Sequence, residues 1–149
     1  MRKITKKEID QLLDEVTWGT ICGVLPDGSP YAAEVTYLHE NNEITSLSHA
    51  KGLTGDCIRH CSRICFKVCG SSRMSHNFRA VSLFGEAAFI EPDSVEETIL
   101  WWEKLETRLK SPDRYQHPKQ RCRVEGKIYP VLHLSIQQRT GVTDLSPPQ

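Results

Sequence analysis

A chain of 149 residues is long enough for one domain with a buried core, and its nineteen Lys and Arg are matched by nineteen Asp and Glu. That neutrality argues against nucleic acid, whose phosphates select a basic surplus. No apolar run is long enough to span a bilayer and the polar N-terminus carries no signal peptide, so the expectation is a cytoplasmic protein without a membrane partner.

The first helix is expected over residues 4–16. Thr5 and Glu8 stand at capping-box spacing, Ile4 can staple against Ile9, and Ile9, Leu12, Leu13 and Val16 mark one apolar face. A strand over 17–25 ends at the turn Pro26-Asp27-Gly28. Its expected antiparallel partner is 31–38, and Asn41-Asn42 turns the chain into a third strand at 44–48. Three strands joined by short turns make a meander rather than a parallel sheet, and no Gly-x-Gly-x-x-Gly is present.

Residues 43–69, EITSLSHAKGLTGDCIRHCSRICFKVC, carry the clearest chemistry. They read as a strand, a polar turn, a helix over 53–60 and a strand over 63–69. Such a turn opening into a helix suits an anion, because the free N–H groups and the dipole of the first turn point at it. Ser46, Ser48 and Thr54 offer hydroxyls, Lys51 offers charge, and Gly52 and Gly55 let backbone come close. A capped helix after an ordinary turn is the plain alternative.

Downstream, Ile64, Phe66 and Val68 should face one way and Cys65, Lys67 and Cys69 the other. Residues 70–77 read as a polar loop, and 78–90 as a long strand with a bulge at Gly85. Asp93 or Ser94 should cap a second helix, buried along Val95, Ile99, Trp102, Leu105 and Leu109, with Trp101 off that stripe as either an ordinary surface residue or an interface anchor. Residues 111–126 read as a polar connection, 127–137 as a last strand, and 142–149 as a mobile tail. The six cysteines are expected as thiols. Cys57, Cys61, Cys65 and Cys69 recur every four residues, a spacing that fits core packing better than a metal site.

The order of elements suggests a small antiparallel β-barrel with helical plugs, an α+β fold that is mainly β. At this point the chain resembles the flavin-binding split barrels related to pyridoxamine 5′-phosphate oxidase, and within them the nitroimidazole-resistance (Nim-type) branch. The resemblance runs over about 4–141, in EIDQLLDEVTWGTICGV, DGSPYAAEVTYLHENNEI, SLSHAKGLTGDCIRHCSRICFKV, FRAVSLFGEAAFIE and the closing Thr140-Gly141.

It implies a single domain over 1–149, a six-stranded antiparallel split barrel with flanking helices. It further implies a homodimer holding FMN in clefts between subunits, with no metal. Glu34, Val35 and Thr36 would lie along the isoalloxazine ring. Ser46, Leu47, Ser48 and His49 would follow the ribityl chain, and Lys51, Gly52, Leu53 and Thr54 would reach the phosphate. Arg79 and Ser82 would approach the cleft from either subunit. The implied activity is an FMN-dependent oxidoreductase in which a nicotinamide or a small electron-transfer protein reduces the flavin. A small acceptor, a nitroaromatic by analogy with the Nim branch, reoxidises it. Two alternatives stand beside this reading. One is a non-catalytic flavin- or haem-binding module, with His49 or His76 as a candidate axial ligand. The other is a thiol-rich metal or redox protein built on the cysteine series.

Overall fold

The computed structural model describes residues 1–72 and 75–146. The chain runs β1 (Arg2–Lys3), α1 (Lys6–Glu15), β2 (Trp18–Val24), β3 (Pro30–Thr36), β4 (Leu38–Glu40) and β5 (Glu43–Ser46). It continues with α2 (Leu53–His60), β6 (Arg63–Ser72), β7 (Ser75–Ile90), α3 (Val95–Leu109), α4 (Gln116–Glu125) and β8 (Val131–Thr143). All pairings are antiparallel, in the order β3-β2-β6-β7-β8-β5-β4, with β1 also on β8.

β3 and β4 lie at opposite ends of that order, yet only Tyr37 separates them in sequence. A single bent run, 30–40, therefore brings the two ends of the sheet together and curls it into a barrel. Counting that run as one strand and setting aside the two-residue β1 leaves six strands, the number expected. Tyr37 is fully buried at the bend, and its hydroxyl donates to the Leu13 and Val16 carbonyls at 2.9 and 2.6 Å. The Arg108 guanidinium lies 4.7 Å over its ring and donates to the same two carbonyls. The C-terminus of α1, where backbone acceptors run out of helical partners, is satisfied by these two side chains.

α1 begins as its sequence dictates. Glu8 N–H donates to Thr5 Oγ1 at 3.3 Å while Thr5 N–H donates to Glu8 Oε2 at 2.7 Å. Ile9, Leu12 and Leu13 then enter the barrel core with Ile21, Tyr37, Ile64, Phe66, Val68, Val81 and Leu83. Both turns expected early in the chain form. Gly28 takes φ +85° between paired Leu25 and Ser29, and Asn41 takes φ +53°. Gly85 marks a shift in the β7–β8 register, because a Cβ there would sit 1.9 Å from the Ser135 carbonyl oxygen.

Three expectations need correction. Most of the supposed loop at 70–77 is strand, since β6 runs through Ser72 and β7 starts at Ser75; residues 73–74 lie outside the described ones. The supposed connection at 111–126 contains α4, a helix whose buried face is Lys119 and Cys122. Pro118 sits in its first turn, where the missing N–H removes no helical bond. The last strand continues to Thr143, and the expected tail lies outside the described residues only over 147–149.

On α3, Ser94 is the cap, accepting from Glu97 N–H at 3.1 Å. Its stripe is Thr98, Trp102, Leu105 and Glu106 with Val95 and Ile99 half-buried, packed with Leu38 and Cys122 into a second small core. Trp101 is half-buried against that core, edge-on to His133 with centroids 6.2 Å apart.

Candidate functional site

Among the described residues, the edge of β3 away from β2 carries no strand in the ladder, and residues 46–54 are tied to β3 at both ends. Ser46 Oγ donates to the Thr36 carbonyl at 2.7 Å, and the Tyr31 and Thr54 hydroxyls meet at 2.7 Å. The strand residues 34–36 and the turn 46–54, far apart in function-bearing sequence, thus form one neighbourhood.

Within it the side chains divide. Glu34 is exposed and accepts from Thr20 Oγ1 at 2.7 Å. Val35 leans on the barrel core, while Thr36 uses its carbonyl to hold Ser46. Ser46 and Thr54 are buried and serve as the two tethers; Leu47 packs into the second core and Ser48 is half-buried. His49, Lys51 and Leu53 are exposed.

Gly52 is the N-cap of α2 and supplies no side-chain bond. The N–H groups of Leu53, Thr54 and Gly55 therefore have no helical acceptor, which leaves the first turn open to an anion. A Cβ on Gly52 would meet nothing nearer than 3.8 Å, so there is space in front of that turn. Gly55 has another purpose. A Cβ there would lie 1.8 Å from the Ala50 oxygen, so what approaches this glycine is the turn's own backbone. Arg59 locks the same turn, donating to the Ala50 carbonyl and to Asp56 Oδ1, each at 2.7 Å. That pairing also offsets the only acidic side chain in the first turn of α2.

Arg79 and Ser82 are three residues apart on β7 and so fall on opposite faces. Arg79 points towards α1 and pairs with Glu15 at 2.6 Å, and its guanidinium holds the Glu15 carboxyl below the ordinary range. Ser82 lies on the outer face. The ladder register sets it beside Lys67, Lys67 beside Thr20, and Thr20 beside Glu34. This row crosses the outer wall from β3 to β7, about 14 Å at ordinary strand spacing. The structure therefore brings Glu34 and Ser82 onto one surface and leaves Arg79 off it. Thr20 and Lys67 were not singled out from the sequence. Alternation along β2 and β6 places each on the outer face, but only the register puts them in this row.

The cysteines separate as well. Cys57 is fully buried, its Sγ lying 2.4 Å from where a Gly23 Cβ would be. Cys61 and Cys69 are exposed and Cys65 is half-buried, so core packing describes only the first of the four. The reason is period. Cys65 and Cys69 share the parity of Lys67 on β6, opposite Phe66 and Val68. Among the described residues no group of three or more His, Cys, Asp or Glu side chains is placed to hold a metal ion. The side chain of His76 lies outside the described residues. No helix among them is long and apolar enough to cross a membrane.

No protein-family model matches the chain, and no curated protein matches it. Solved structures do. A Bacteroides thetaiotaomicron protein described as a 5-nitroimidazole antibiotic resistance protein superposes with a TM-score of 0.70 at 17% identity, over 94% of this chain and 85% of that one. The FAD and haem binding protein of Mycobacterium smegmatis gives 0.70 at 15%, over 100% and 77%. A Listeria innocua protein described as a pyridoxamine 5′-phosphate oxidase gives 0.63 at 16%, over 94% and 98%. The fold is the split barrel of these proteins. At such identities the likeness speaks for architecture, and the chemistry has to be argued from the residues of this chain.

Proposed function

We propose that the protein is an FMN-dependent oxidoreductase acting as a homodimer in the cytoplasm. The observation that carries this reading is the open first turn of α2, lashed alongside the free edge of β3 by the Ser46 and Thr54 contacts. In this reading the turn would take a phosphate. The Leu53, Thr54 and Gly55 N–H groups and the Lys51 ammonium would hold it, with Ser48 as a further donor. Residues 34–36 and 46–49 would then flank the rest of the cofactor, with Glu34 kept in place by Thr20.

Bound flavin would supply the electron or hydride transfer; the chain's part is to bind, orient and shield. No side chain of the neighbourhood is required as a strict acid or base. A nicotinamide or a small electron-transfer protein would serve as reductant, and a small acceptor, a nitroaromatic among the candidates, would take the electrons. Exposed Trp18 on β2 and Phe78, Phe84 and Ile90 on β7 support a second copy as the cover of the outer wall, with Trp101 as a further contact.

The test is affinity for FMN against riboflavin. FMN should bind at least about tenfold more tightly, and Ser48→Ala with Lys51→Ala should weaken FMN far more than riboflavin and so remove most of that difference. Added salt should weaken the Lys51 share. Equal affinities in the wild type would count against a phosphate site. The second reading, a flavin or haem carrier without turnover, draws support from exposed His49 and from the haem-binding neighbour. The visible spectrum of the purified protein, followed by turnover with reductant and acceptor, separates the two.

A further inference from the structure

β2 and β6 pair so that Cys22 stands directly opposite Cys65. Both side chains share the outer face, since Ile21, Ile64 and Phe66 fill the inner one, and both are half-buried rather than sealed. Neither is a flavin contact in the reading above, but Cys65 stands beside Phe84 on the wall that a second copy would cover, so peroxide reaches the pair in the free protomer. Opposed residues of an antiparallel pair have Cα atoms about 4.5–5.5 Å apart, inside the span a disulfide tolerates. The other thiols lack such a partner. Cys69 faces Ala80, Cys61 ends α2, Cys57 turns inward beneath Gly23, and Cys122 is buried in the second core.

We propose that Cys22 and Cys65 form a reversible dithiol–disulfide pair, oxidised by a hydroperoxide, that clips β2 to β6 across the outer wall of the barrel. In the first step one sulfur attacks the hydroperoxide, ROOH. The O–O bond breaks, ROH leaves, and the sulfur becomes a sulfenic acid. In the second step the other sulfur attacks that sulfenic sulfur, the S–S bond forms, and water leaves with the thiol proton. The two thiols give up two electrons and the hydroperoxide takes both.

Opposed Cβ atoms stand about 4.5–5.5 Å apart, whereas a relaxed disulfide brings them to about 3.8 Å. Closing the bond therefore draws the two strands together, and the product is readily reduced, as a switch requires. Burial holds both thiols above their ordinary range. Beside Cys22, Cys65 and Glu34 act in the same direction and Lys67 against it; beside Cys65, the Ser82 hydroxyl and Lys67 pull down. Thiolate is therefore scarce at both positions, so the pair oxidises slowly and responds to a sustained peroxide load rather than to a brief pulse.

Peptide mapping of the full-length protein after treatment with hydrogen peroxide tests this without relying on flavin. The expected product is a linked peptide joining residues 22 and 65, lighter by two hydrogens and restored by dithiothreitol. Cys22→Ser and Cys65→Ser should each abolish it, and Cys61→Ser with Cys69→Ser should leave it intact. Phenylarsine oxide, which bridges neighbouring thiols, should block the linkage in the wild type, a readout that needs no variant to fold. Linkage through other cysteines, or survival of both thiols while Cys61 and Cys69 oxidise, would overturn the assignment.

Discussion

The barrel wall and the α3–α4 annex bury their interiors by different means. In the wall, alternate residues of β6 go inward as Ile64, Phe66 and Val68, all apolar and almost wholly sealed. In the annex, the contact between α3 and α4 encloses a charged pair, with Lys119 Nζ donating to Glu106 Oε2 at 2.7 Å. Burial pushes the Glu106 carboxyl up, but Lys119 and the Tyr115 N–H outweigh it and hold the group below the ordinary carboxylate range. Apolar burial stabilises by area, whatever the neighbour. An enclosed ion pair stabilises only while both members are present.

Removing one residue from the wall and one from the annex separates the two modes of burial. Phe66→Ala should cost about 3–5 kcal/mol in denaturant unfolding, because its ring fills the barrel edge-on to Tyr37. Lys119→Ala should cost less, about 1–3 kcal/mol, chiefly by leaving the Glu106 carboxylate with Tyr115 N–H alone. The pair of changes Glu106→Leu and Lys119→Met sharpens the contrast. It should restore stability to within about 1 kcal/mol of the wild type, since an apolar pair needs no charge partner. A double variant as weak as the single one would mean that the annex depends on its charges for shape.

A smaller effect is expected with pH. The Arg2 guanidinium, at 2.5 Å, with help from the Thr5 N–H, holds the Glu8 carboxyl down to about 2. A depressed carboxyl contributes stability above its unfolded value, and that contribution is lost as pH falls from about 4.3 towards 2. Melting measured across that window should show Glu8→Gln flattening the acid limb of the curve. An unchanged limb would assign acid sensitivity to other carboxyls, Glu106 first among them.

These differences explain what could be read from the chain alone. Thr5 and Glu8 announce α1 because the capping box is written in residue types, and Gly85 announces its bulge because only glycine tolerates the Ser135 carbonyl at that distance. The inward face of β6 follows from period alone. α4 escaped notice because its buried residues are a lysine and a cysteine, which form no apolar stripe. Within the candidate site, residues 46–54 could be singled out by their hydroxyls and glycines. Their seat against β3 could not, since it depends on how Tyr37 bends the strand. The parity of Arg79 and Ser82 was legible and places them on opposite faces. That Glu15 is the partner of Arg79 depends on where α1 docks.

The pairing of β8 governs when the barrel can close. This last of the described strands holds β7 along one edge and both β1 and β5 along the other. Hairpins β2–β3 and β4–β5 join near neighbours in sequence and can form early, but the other edge of β5 is paired only by β8, where Ile44 meets Leu134. Loop closure over such a separation is entropically slow. On the ribosome, the meander must therefore wait with an open edge until nearly the whole chain has emerged. Its exposed strands in that interval are where the nascent protein is most open to aggregation and most in need of a chaperone.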